Sequence, residues 1–89
     1  MYRSPAEKLA DPERLNLDRR GLTSCPVLEG EERLRLLNYQ NNAISSIGNL
    51  RGLPNLIFLD LYNNAIERIS GLSPVRTLRA RVGVRVRAS

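Results

Sequence analysis

The sequence predicts an α/β solenoid, with short parallel strands on a concave face, turn or 3₁₀ segments on the convex face, and a truncated C-terminal end. Two observations carry this expectation. First, residues 34–55 lie over residues 56–77 without a gap and agree at eight framework positions: Leu34/Leu56, Leu37/Leu59, Tyr39/Leu61, Asn42/Asn64, Ile44/Ile66, Ile47/Ile69, Leu50/Leu72 and Leu53/Val75. Self-similarity at a fixed period of 20–50 residues is the mark of a repeat architecture. Second, Leu37-x-Tyr39 and Leu59-x-Leu61 alternate with period two, which points one side of a short strand inward, whereas helical spacing would misplace them.

Taken in order, residues 1–11 contain no apolar pattern and read as a disordered N-terminal segment. Residues 12–33 are a degenerate copy of the repeat that keeps Leu15, Leu17, Leu22, Cys25 and Leu28 in register, with Arg20 where the asparagine belongs. They read as an N-terminal capping repeat. Two full repeats follow, at 34–55 and 56–77. A further one starts on schedule at Leu78 and then fails. Leucines are due at positions 81 and 83 and asparagine at 86, where the chain has Arg81, Gly83 and Val86. Residues 78–89 are therefore a broken repeat and a basic tail, read as an alternative or mispredicted end of a solenoid that continues in a longer parent. Solenoids need about three units and terminal caps to hold together, so this stretch alone is expected to fold only marginally.

The asparagines have a physical reason. After each strand the chain turns inward, and a buried turn leaves backbone donors and acceptors in need of partners. A side-chain amide both donates and accepts, so Asn42 and Asn64 can bond the backbone of neighbouring turns in a ladder; Arg20 only donates. Ile44, Ile47, Leu50 and Leu53 then return the chain along the convex side, in a stretch too short for a long helix. Gly48, Gly52 and Gly71, with Pro54 and Pro74, punctuate the return. Cys25 stands where the other repeats place Ile47 and Ile69, so it reads as a small buried hydrophobe.

Composition narrows the function. Apolar residues are 42% of the 89-residue chain and aromatics only 4%, which suits a thin aliphatic core and argues against a large aromatic pocket. The formal net charge of +5 sits in the tail, where Arg76, Arg79, Arg81, Arg85 and Arg87 have no acidic neighbour. The remainder is neutral, and the tail lacks the interleaved aromatics of an RNA-binding arm, so nucleic acid is not the expected partner. One cysteine permits no internal disulfide and no cysteine-based zinc site. Neither a signal peptide nor a membrane span is legible, and the expectation is a soluble cytoplasmic protein with no membrane partner. The chain has no histidine, no phosphate-cradling loop and no nucleophile paired with a base. The reading is therefore non-enzymatic, without cofactor, metal or small-molecule substrate.

Binding is left to the concave face. If the strands lie parallel, the residues between the core leucines form stripes: Arg14, Leu36, Phe58; then Asn16, Asn38, Asp60; then Asp18, Gln40, Tyr62; with Arg19, Asn41 and Asn63 at the turn. The candidate contact residues are Leu36, Asn38, Gln40, Phe58, Asp60 and Tyr62. Phe58 and Tyr62 read either as interface anchors, because aromatics are enriched in interface cores, or as cover for neighbouring leucines.

The pattern N-x-I-x-x-I-x-x-L after each strand resembles the intracellular 22-residue leucine-rich repeats described in a protein-phosphatase-1 regulator and shared by a splicing subunit and by ciliary dynein-assembly factors. More narrowly, ERLNLDRRGLTSCPVLEGEERLRLLNYQNNAISSI followed by LIFLDLYNNAIERISGL is similar to the opening repeats of a leucine-rich repeat family that serves as a non-catalytic subunit of the tubulin polyglutamylase complex. The resemblance runs over 13–78, and in that family many more repeats follow. It implies a fragment of a scaffold that helps place the complex on microtubules, with tubulin polyglutamylase subunits or tubulin as partners and a cytoskeletal location. The wider class leaves open a regulatory or assembly subunit of a phosphatase, axonemal dynein or RNA-splicing complex.

Overall fold

The computed structural model describes residues 3–67. The end of the second full repeat, the broken repeat and the basic tail, all expected within 68–89, lie outside the described residues. Within them the elements run α1 (Pro5–Ala10), β1 (Arg14–Asn16), β2 (Leu36–Asn38) and β3 (Phe58–Asp60).

The strands form one parallel sheet in the order β1-β2-β3. Arg14 pairs with Leu36 and Leu36 with Phe58, and the pairing continues through Leu15, Leu37, Leu59 and Asn16, Asn38, Asp60. Every step is the 22-residue period of the sequence. The central residue of each strand is buried, and Leu37 and Leu59 have no exposed surface at all. One continuous core runs through the coils, from Leu15, Leu17, Cys25 and Leu28 through Leu34 and Tyr39 to Leu56, Leu61 and Ile66. A single coil could not bury its aliphatic face, and stacking supplies the missing walls.

The convex return consists of turns among the described residues, not 3₁₀ helix. Isolated bonds close it, such as Leu53 N–H to Leu50 O at 3.1 Å and Leu34 N–H to Glu31 O at 3.0 Å. The turns pack closely: a Cβ placed on Gly52 would stand 3.2 Å from the Leu28 carbonyl of the preceding coil.

The N-terminal segment, expected to be disordered over 1–11, carries α1 instead. The reason is local. Ser4 Oγ accepts from Glu7 N–H at 3.2 Å and Glu7 Oε1 accepts from Ser4 N–H at 3.0 Å, a capping box with Pro5 in the first turn. These bonds satisfy donors that a helix start leaves open, and they hold the exposed Glu7 carboxyl below its ordinary range. α1 buries none of its residues. Polar tethers hold it, with Lys8 Nζ donating to Glu29 O at 2.8 Å and the Arg3 guanidinium gripping Glu31 at 2.6 and 2.8 Å.

Candidate functional site: the concave face

The turn after each strand is held by an asparagine. Asn42 Oδ1 accepts from Arg20 N–H at 2.9 Å and Leu22 N–H at 3.0 Å, while Nδ2 donates to Leu17 O, Tyr39 O and Gln40 O at 2.9–3.1 Å. One side chain thus closes its own turn and the turn of the coil before it. Asn64 repeats the arrangement, accepting from Ile44 N–H at 3.0 Å and donating to Tyr39 O at 2.9 Å. Arg20, at the same position one period earlier, is served through its backbone N–H by Asn42.

These turns fix the stripes. Leu36, Asn38, Gln40 and Phe58 are half-buried, Asp60 is only 8% exposed and Tyr62 is 48% exposed. The polar members are engaged in the fold. Asn16, Asn38 and Asp60 each accept, through Oδ1, the N–H two residues further on, at 3.0, 2.8 and 3.1 Å. This short-range side-chain-to-backbone bond sets the strand exit in each coil. Gln40 Nε2 reaches across to Asp60 Oδ2, so both oxygens of that carboxylate are occupied. Leu36 and Phe58 stand side by side with apolar surface partly open, and Tyr62 is the most exposed of the six candidate residues.

A second ladder runs along the rim. Asn63 Nδ2 donates to Asn41 Oδ1 at 2.9 Å, Asn41 Nδ2 donates to Asp18 Oδ1 at 2.7 Å, and Arg19 Nη1 pairs with Asp18 Oδ2 at 2.9 Å. Arg19, Asn41 and Asn63 all adopt left-handed backbone, with φ of 53°, 58° and 58°. Asparagine tolerates that region better than most side chains. The signal was the recurrence of residues 19, 41 and 63 at the period, but periodicity alone does not distinguish a rim ladder from exposed polar surface. Behind the face, Cys25 is 3% exposed, and burial pushes its thiol pKa up. Asn49, also left-handed at φ 57°, donates to Cys25 O at 2.6 Å. What the face leaves open is mainly apolar and aromatic surface, at Leu36, Phe58 and Tyr62.

Residues 32–74 match the family model of leucine-rich repeats, in two copies. Residues 32–74 carry leucine-rich repeats. It is also similar to leucine-rich repeat-containing protein 49 of Mus musculus, at 54% identity over 45 residues, and to that of Homo sapiens, at 53% over 45 residues. In each case the match takes in 51% of this chain and spans 7% of the relative's length. Leucine-rich repeats are protein-interaction modules.

Proposed function

We propose that this chain is a protein-binding piece of a non-catalytic scaffold subunit that helps place the tubulin polyglutamylase complex on microtubules. Its partners on this reading are other subunits of the complex or tubulin, in the cytoplasm at the cytoskeleton. The observation that carries the binding role is the contrast within the concave face. Asn38, Gln40 and Asp60 have polar atoms committed to the fold, while Leu36, Phe58 and Tyr62 keep apolar and aromatic surface towards solvent. Contact therefore centres on Phe58 and Tyr62, with Leu36 beside them and Asn38, Gln40 and Asp60 shaping the surround. The similarity to leucine-rich repeat-containing protein 49 supports the choice of complex.

Three strands about 4.8 Å apart present only a few hundred Å², against about 800 Å² per partner in a standard interface. This face thus contributes part of a larger footprint in a longer solenoid. The test is affinity purification of the 89-residue chain from ciliated-cell extract, beside Phe58→Ala and Tyr62→Ala variants with unchanged far-UV circular dichroism. Polyglutamylase subunits should be recovered with the native chain and depleted at least tenfold by either substitution, as removal of an aromatic anchor worth about 2 kcal/mol implies. Recovery of phosphatase 1 or dynein chains instead, or retention indifferent to both substitutions, would overturn the proposal.

A further inference from the structure

The first strand lies at the edge of the sheet among the described residues, and the Arg3 side chain bonds to its outer side. Glu13 O accepts from Arg35 and Leu36 N–H, and Leu17 N–H donates to Asn38 O at 2.8 Å, so the odd-numbered residues of β1 and its flanks face β2. By the alternation of a parallel ladder, the backbone groups of Arg14 and Asn16 point away from the sheet. An open edge of this kind is a template for another strand. Here Arg3 lies across it: Nη1 donates to Arg14 O at 2.9 Å and to Asp11 O at 2.6 Å, while Nε and Nη2 fork onto the Glu31 carboxylate. The side chains of Arg3 and Glu31 are only 7% and 2% exposed. A buried pair of this kind adds little net stability compared with an apolar replacement, but it fixes position. Its position here is over the outward carbonyl of the edge strand.

We infer that the β1 edge is an interaction surface for a second copy of this chain, held closed by the Arg3–Glu31 clasp and opened when α1 lifts. The occupant follows from charge and register. Residues 14–18 read Arg-Leu-Asn-Leu-Asp. Laid antiparallel on a second copy about Asn16, each Arg14 meets Asp18 of the other chain, Leu15 meets Leu17, and Asn16 meets Asn16. Opposite charges directly across an antiparallel pair favour that register. The outward N–H and C=O of Asn16 are then exchanged between the copies. Arg14 is exposed; among the described residues Asp18 Oδ2 is paired with Arg19, whose side chain is 75% exposed, while Oδ1 keeps its bond from Asn41. Such a surface pair yields readily. Release gives up little apolar contact, because α1 buries no residue; its cost lies in breaking the Lys8–Glu29 bond and the buried Arg3–Glu31 pair, which is what keeps the native chain closed. A pairing this short covers far less than the about 800 Å² per partner of a standard interface, so the dimer is weak and reversible.

The test is sedimentation velocity of the 89-residue chain over a wide concentration range, with far-UV circular dichroism as the check on fold. The native chain should stay monomeric. Arg3→Lys keeps a charge for Glu31 but loses the planar fork that also reaches Arg14 O, and Arg3→Ala loses both. Each should double its mass reversibly as concentration rises. Adding Arg14→Asp should return the Arg3→Lys chain to monomer, and adding Asp18→Arg to that double variant should restore the dimer by exchanging the charges. Four results would overturn the inference: a native dimer, Arg3 variants that stay folded and monomeric, a dimer indifferent to the Arg14 and Asp18 changes, or loss of fold in both Arg3 variants. The last would make the clasp a support of the fold and not a cover for the edge.

Discussion

Asn42→Ala should be the most damaging polar truncation on the concave side. The amide makes five contacts of 2.9–3.1 Å with the backbone of two successive coils. Its two hydrogens are shared among three carbonyls, which leaves two donated and two accepted bonds. At about 1 kcal/mol net for each, truncation costs about 3–4 kcal/mol, a large share of the roughly 5–10 kcal/mol that holds a domain of this size. Asn64 accepts one bond in place of two, so Asn64→Ala should cost about 1 kcal/mol less on the same reckoning. Asn42→Asp is the sharper control. It keeps the shape and an acceptor, but sets a carboxylate against the carbonyls of Leu17, Tyr39 and Gln40, and it should cost at least as much as alanine. Urea unfolding followed by far-UV circular dichroism gives all three values. A cost below about 1 kcal/mol for Asn42→Ala, or a smaller cost than for Asn64→Ala, would show that water replaces the amide and that the ladder does not hold the coils.

Two further outcomes follow from burial. Leu59 is fully enclosed in the central row of the last described strand, so Leu59→Ala should cost about 2–5 kcal/mol through lost burial and an unfilled cavity, read as a lowered thermal midpoint. Cys25 is buried and its thiol pKa is raised, so it should react with iodoacetamide only as fast as the fold opens. Because the folded state retains this proton more strongly than the unfolded chain does, its contribution to stability is complete below the ordinary thiol range and is lost as pH climbs through the raised value. Rapid labelling of the native chain, or stability rising with pH across that range, would contradict the burial.

What could be read from the sequence was whatever recurs. The 22-residue spacing of Leu37, Tyr39 and Asn42 against Leu59, Leu61 and Asn64 translates directly into strand register, because neighbouring coils differ by one period. The ladder role of Asn42 was legible for the same reason. The α1 helix was legible only outside the period: Ser4-Pro5-Ala6-Glu7 spells a capping box with proline at the helix start. Its capping box spans Ser4 to Glu7 and does not recur, and α1 has no apolar face to betray it. The Arg3–Glu31 contact, across 28 residues, joins a non-repeating segment to the one glutamate that the fold buries among the described residues. Nothing in the period marks Glu31 apart from Glu29 and Glu32, which stay exposed.

The same distinction bears on where binding is carried. Asn16, Asn38 and Asp60 occupy one stripe at one spacing, which is what either a recognition row or a structural row would show. Their bonds to Asp18, Gln40 and Tyr62 N–H commit that stripe to setting the strand exits. A residue with both acceptor and backbone duties can meet a partner only through the hydrogens or lone pairs left over, as with Asn38 Nδ2. The neighbouring stripe of Arg14, Leu36 and Phe58 has no such duty and changes character from coil to coil, from charged to aliphatic to aromatic. In a repeat protein the scaffold demands sameness at each period, so departure from sameness on an accessible face marks positions free to serve recognition. On the function proposed above, that departure places the contacts at Phe58, with Tyr62 of the adjacent stripe beside it as the most exposed aromatic of the face.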